Sequence, residues 1–298
     1  MTRQTHMDRR ALFASGAAAA LLAASGVSAQ PAPQRGGRLR LALSGATRSD
    51  SFDLRRAAEP GLFMQVATAG LVFDALTEVA ADGTLRGELA TGWRSNAEGS
   101  RWEFDLRSDA EFHNGSAFTA QDVVASFGAH LSTHLFDVTG LEATGPHSLV
   151  IKLAQGDPDL PFRLSAPELV ILPLGPDTGF AEGVGTGLYR LHKFDAGRHL
   201  VAHRVGTHYK DGRAGWFDSV ELVSLTADAV RAEALRDHLV DAADLTHVDG
   251  LGDLEGLRVL PEEHFMTSAV DDCIALPGQI GRRWPLDNLR AAERWWMA

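Results

Sequence analysis

Leucines at every second position open the first readable segment after residue 36. Leu39, Leu41 and Leu43 alternate with Arg38, Arg40 and Ala42, the period of a strand with one buried face. The alternation returns at 101–107, where Trp102, Phe104 and Leu106 point one way and Arg101, Glu103, Asp105 and Arg107 the other. Apolar runs predict further strands at 148–153, 168–172 and 218–225, and 189–204 reads as a hairpin turning at Gly197. Helical spacing appears in three places. Residues 62–77 read as a helix. Thr119 caps another, with Asp122 three residues on as a capping box and Val123, Phe127, Leu131 and Leu135 along one face. Thr226 opens a third, running to about Asp241 with Val230, Ala234, Leu235 and Leu239 inward. Asp82-Gly83-Thr84 and Asn114-Gly115 supply turns. Strands and helices mix without regular βαβ alternation, which predicts an α/β fold with a mixed sheet.

The start of the chain has a different grammar. Arg9-Arg10, an apolar run from Ala11 to Ala24 and the small residues Val27-Ser28-Ala29 read as a secretory signal over residues 1–29, with a twin-arginine-like start. The run is shorter than the roughly 20 residues a membrane span needs. Residues 30–36, QPAPQRG, follow as a Pro-rich linker. The formal charge is −11 for the whole chain. Without residues 1–29, which hold Arg3, Arg9, Arg10 and Asp8, it is −13. Such a surface repels nucleic acid and anionic membrane, so neither is an expected partner. Cys273 is the single cysteine, which excludes an internal disulfide and a thiol-rich metal cluster.

Candidate chemistry is sparse. No Ser-centred nucleophile elbow and no phosphate-binding loop is present. The glycine-rich Gly183–Gly187 precedes a strand, whereas a phosphate cradle precedes a helix. Among twelve histidines, His130 and His134 stand four apart on a helix, and His199 and His203 share a strand face. No Glu follows His130, so the hydrolytic zinc motif is absent. These pairs leave a nickel- or zinc-binding protein as one alternative and a secreted hydrolase as another. No cofactor is called for.

Three blocks in order resemble the family 5 extracellular solute-binding proteins of ABC importers. The first, Gly70 to Phe127, contains a D-x-G turn, LA-x-x-W, the Trp102–Arg107 strand, F-H-x-G at Phe112–Gly115 and T-A-x-D-V at Thr119–Val123. The second is GTG-L-Y from Gly185, followed by a strand pair and Tyr209-Lys210; the third is Phe217 to Leu245. Three positions depart from the pattern: Leu188 stands for the usual Pro, Lys210 for the usual Trp after Tyr209, and Asp53 lacks the Pro that often follows it. The resemblance implies a type II periplasmic-binding-protein-like fold, with an N-terminal lobe over 37–245. It implies that 246–298 form a crossover segment toward a second lobe, largely missing here. It implies a non-enzymatic receptor in the periplasm, a peptide or similar small solute as ligand and an inner-membrane permease as partner. Uncovered lobe surface leads us to expect self-association or a partner chain. Cleft contacts carry over to Asp53, Glu59, Pro60, Gly61 and Phe63.

Overall fold

The computed structural model describes residues 32–53, 60–130, 137–174, 182–247, 255–260, 267–278, 286 and 289–298. The signal-like residues 1–29, and with them any test of export, lie outside these. Strand β1 (Arg38–Leu43) runs through the middle of a seven-stranded mixed sheet. It pairs in parallel with β10 (Ser219–Ser224) on one side and β11 (Ala242–Leu245) on the other. Outward from β10 come β9 (His199–Arg204) and β8 (Tyr189–Asp195); outward from β11 come β13 (Thr267–Asp271) and β12 (Leu257–Leu260), all antiparallel.

The leucines of β1 face the main core, as their spacing predicts. Ala42 is buried on the opposite face, because helix α4 (Asp228–Arg236) packs there with its own small cluster around Leu235 and Leu245. A second sheet is fully antiparallel. Its order is β4 (Ala90–Ser95), β5 (Arg101–Leu106), β7 (Ser148–Leu153) and β6 (Val138–Gly145). Trp102, Phe104 and Leu106 of β5 join a separate core with Phe118, Val123 and Phe127, so the predicted buried face is found. Two short ribbons complete the strands: β2 (Thr77–Val79) with β3 (Leu85–Gly87), and β14 (Ile274–Ala275) with β15 (Trp296–Met297).

Helix α2 (Ala120–His130) shows the return half of the expected capping box, while Asp122 N–H goes to the Thr119 carbonyl at 3.1 Å and not to the hydroxyl. The Thr119 amide and hydroxyl both donate to Asp122 Oδ2, at 2.8 and 2.7 Å. Asp122 Oδ1 accepts from Leu174 N–H at 2.8 Å, so this carboxylate ties the helix start to a distant segment. Leu131 and Leu135 fall outside the described residues.

Three expectations differ from what folds. The helix predicted over 62–77 is α1 (Leu62–Ala67) followed by a single π turn, Thr68–Val72. The Thr68 hydroxyl donates to Met64 O at 2.7 Å. A Cβ on Gly70 would lie 2.2 Å from Leu289 O, so the helix is remodelled where the distant chain crosses it. The run 168–172 is no strand: Pro167–Leu169 form a 3₁₀ turn. Ile171 and Leu172 spend their amides on Asp74 O and Ser126 Oγ instead of a ladder. Helix α4 starts at Asp228, with Ala227 and not Thr226 at its N-cap. Val230 and Leu239 are exposed, because the inward stripe is Arg231, Ala234 and Leu235, and His238, at φ 52°, has already ended the helix. The described residues beyond 245 include two strands of the main sheet. β12 and β13 extend the main sheet, and Pro33–Ala298 form one unit. Helix α3 (Leu160–Arg163) and helix α5 (Ala291–Arg294) are single turns against the two cores.

Candidate functional site

Three parallel strands end side by side, and in open α/β sheets the crevice beyond such carboxyl ends takes the ligand. At this rim Ser44, directly after β1, donates its amide to Asp244 Oδ1 at 2.9 Å and its hydroxyl to Asp244 Oδ2 at 2.6 Å. Arg231 lies behind, its Nε donating to Asp244 O at 2.6 Å and its NH1 to Leu225 O and Thr226 O. One guanidinium therefore fastens the ends of β10 and β11, and one carboxylate fastens β1 to them. Ser44 and Asp244 escaped sequence reading. The only signal was a serine just past a strand and an acid inside an otherwise apolar one.

The chain leaving the rim returns at Gly61. Phe63 N–H donates to Ser44 O at 3.1 Å, and a Cβ on Gly61 would sit 2.0 Å from Gly45 O. Gly45 itself has φ +78°. Two glycines thus close the neck of a loop by backbone contact that no side chain permits. Phe52 anchors the loop, with its ring edge-on to Phe73 and Phe194 at 6.1 and 5.1 Å. Asp53 follows it and is buried, its amide donating to Ser51 Oγ. Pro60 is half-buried and its carbonyl accepts from Gln65 Nε2 at 2.8 Å. Phe63 lies wholly in the main core, so it supports the neck and presents no surface. Glu59 lies outside the described residues.

The quoted motifs converge elsewhere, at the junction between the two sheets. His113 of F-H-x-G and His208 hold the Gly185–Gly187 turn, and Thr186 Oγ1 donates to Asp74 Oδ2 at 3.0 Å. Cβ atoms on Gly185 and Gly187 would lie 1.9 Å from Val72 O and 2.3 Å from Leu71 O, which is why glycine stands at both positions.

Beneath this turn lies a buried ionic cluster. Lys210 Nζ reaches Glu88 at 2.5 Å, Glu293 at 3.2 Å and both Asp74 and Glu78 at 3.5 Å. Arg290 contacts Glu88, Glu293 and Asp74 at 2.8, 3.1 and 3.5 Å. Burial alone would raise the Asp74 carboxyl, but Lys210, His208 and Arg290 hold it well below the usual range. Glu78 is lowered too, by Lys210 and Arg290 against its burial. At Glu88 burial wins, pushing the carboxyl up to about 8 against the pull of Arg290 and Lys210. Lys210 is raised above an ordinary lysine, because Glu293, Glu78 and Glu88 outweigh its burial. Arg107 covers the Tyr209 ring at 4.1 Å. The cluster joins residues from 74 to 293 and is a structural tie.

His199 and His203 have separate partners. His199 Nε2 meets Glu221 at 2.7 Å, and His203 stacks on His192 at 4.5 Å. Among the described residues no group of three or more His, Cys, Asp or Glu is placed to hold a metal ion. His134 and the His130 side chain lie outside them.

A mixed sheet with parallel central strands, a close glycine contact at its rim and a second antiparallel sheet make up the mixed α/β fold of this chain. The profile of "Bacterial extracellular solute-binding proteins, family 5 Middle" matches residues 84–265, and the chain belongs to that family. Similar curated proteins include the HTH-type transcriptional regulator SgrR of Shigella dysenteriae, 33% identical over 126 residues, which is 40% of this chain and 22% of that protein. The nickel-binding periplasmic protein of Escherichia coli K12 is 34% identical over 67 residues, 22% and 13% of the two chains. Among solved structures, Helicobacter pylori DppA in complex with the peptide STSA has a TM-score of 0.67 at 19% identity, covering 76% of this chain and 51% of that one. AgaA from A. tumefaciens R10 in complex with agropinic acid has a TM-score of 0.66 at 23% identity, covering 75% and 48%. The chain thus spans about half the length of these structures and about a fifth or less of the curated relatives it matches. Among the described residues no helix is long and apolar enough to cross a membrane.

Proposed function

We propose that this chain is the substrate-binding component of an ABC importer, or one lobe of it, exported through its twin-arginine-like signal. Its ligand is a peptide or a similar small solute, delivered to an inner-membrane permease. The observation that carries this reading is the rim: three parallel strand ends fastened by Asp244 and Arg231, with Gly61 packed against Gly45 beside them. Asp53, Glu59 and the backbone at Pro60-Gly61 are the contacts, and Phe63 supports them from the core.

Amide chemical shifts during titration with a mixed di- to pentapeptide library test this, with light scattering on the same sample. Shifts are expected at Ser44, Gly45, Gly61 and Thr246. The absence of any saturable shift would overturn the function, and shifts confined to the sheet junction would overturn the site. Similarity to the nickel-binding periplasmic protein over 67 residues supports nickel as a second reading. A parallel nickel titration decides between the two.

A further inference from the structure

His113 grips the Gly185–Gly187 turn with both ring nitrogens. Nε2 donates to Gly187 O at 2.8 Å, and Nδ1 accepts from Gly185 N–H at 3.4 Å. The His113 amide also donates to Gly185 O at 2.8 Å. A ring that donates from one nitrogen and accepts an N–H at the other is neutral. A second proton would have to settle on Nδ1, where the Gly185 N–H already points. Two donors would then face each other and the contact would open. The turn cannot slide to escape, because Val72 O and Leu71 O lie against its two glycines.

This turn leads into β8 of the large sheet, whereas His113 follows β5 of the small one. We propose that His113 is a proton-sensitive catch between the two sheets, holding the Gly185–Gly187 turn when neutral and releasing it when protonated. The groups facing it act in both directions. Burial opposes the proton most, with Arg190 on β8 and His208 adding to it; the bond to Gly187 O and Asp74, from the segment after α1, favour it, and the ring is held below an ordinary imidazole. Asp109 and Glu111 on its own segment, together with His192, His203, Arg204, Tyr209 and Asp211, line the same groove of about 1020 Å³. That groove gives the ring access to solvent. His208 is built alike, donating from Nε2 to Thr186 O at 2.8 Å and accepting Lys210 N–H at Nδ1 at 3.1 Å. Its Nε2 also lies 3.8 Å from Asp74, so its hold on the turn is shared with a carboxylate, and the catch is assigned to His113.

The sign follows from the lowered value. Stability from a neutral His113 is fully present above the unfolded imidazole pKa of about 6.5 and is lost as pH falls toward the folded one. Hydrogen exchange at the Gly185 and Gly187 amides, corrected for the chemical rate, tests this in the whole chain. From pH 7 to pH 5 exchange should rise about tenfold, the effect of one pH unit of titration. In His113→Gln, whose amide can donate and accept in the same places without titrating, it should stay flat. An equal rise in both proteins, or none in the wild type, overturns the proposal. If the variant does not fold, an NMR titration of the wild-type ring decides. A midpoint below that of a free imidazole, moving with the Gly185 amide shift, is expected; a midpoint at or above it overturns the proposal.

Discussion

Replacing Lys210 by Met removes a cation that contacts four carboxylates at the junction, Asp74, Glu78, Glu88 and Glu293. The ammonium lies within 3.5 Å of all four, and three of them, Asp74, Glu88 and Glu293, are at most 2% exposed at the side chain. Methionine fills similar volume, so the loss is electrostatic and not a cavity. Breaking a buried ion pair from one side costs about 3–5 kcal/mol, because the remaining charge is left uncompensated. Here Arg290 still contacts three of the carboxylates, which places the expected cost at the lower end, about 3 kcal/mol. With an m-value of about 2–3 kcal/mol/M, the urea midpoint at pH 7 should fall by about 1–1.5 M. The cost should also depend on pH. Asp74 and Glu78, held low by Lys210, contribute stability that is present above their unfolded values and lost as pH falls through the folded ones. Glu88, pushed up to about 8, is driven further toward its neutral form when the lysine is gone. Both effects make the difference between wild type and Lys210→Met grow with pH, so it should be smallest near pH 4 and largest above pH 8. Urea titrations at pH 4, 7 and 8.5 check this. A loss below about 1 kcal/mol at pH 7, the size of a surface ion pair, would refute the reasoning, as would a loss independent of pH.

Thr119→Ala should lower stability by about 1 kcal/mol, read as a shifted denaturation midpoint, since it removes the hydroxyl bond to Asp122 at 2.7 Å. Gly185→Ala should be far worse than Gly115→Ala: the first Cβ would meet Val72 O at 1.9 Å, whereas the second meets nothing within 4 Å and bears only the backbone cost of φ +85°, about 1–2 kcal/mol. Soluble yield and thermal midpoint of the two variants make that comparison. Fractionation with mass measurement should find a chain lacking residues 1–29 outside the cytoplasm; a full-length cytoplasmic product would end the export reading.

Sequence alone was enough for much that is local. The alternation in β1 and β5, the Thr119–Asp122 cap, the Gly197 hairpin and the mixed character of the sheet all follow from backbone periods and turn stereochemistry, which neighbouring residues set among themselves. The family pattern was equally legible, because its motifs are short runs. Their purpose was not. Phe112–Gly115, Gly185–Gly187 and Tyr209-Lys210 read as separate signatures, and only the tertiary structure brings them to one junction, around Asp74, Glu88, Arg290 and Glu293. The misread helices have the same cause. Local spacing continued α1 to residue 77, but the close approach of Leu289 O to Gly70 accompanies a π turn. In α4 apolar spacing favoured Val230, yet the inward position went to Arg231, because its guanidinium satisfies three carbonyls at the ends of neighbouring segments. The rim was half visible: the loop could be placed, whereas Ser44 and Asp244, 200 residues apart, meet only once β1 lies beside β11. Periodicity is a property of consecutive residues. Which buried charge finds which partner, and which helix yields to a crossing chain, depends on contacts that exist only when the whole sheet has closed.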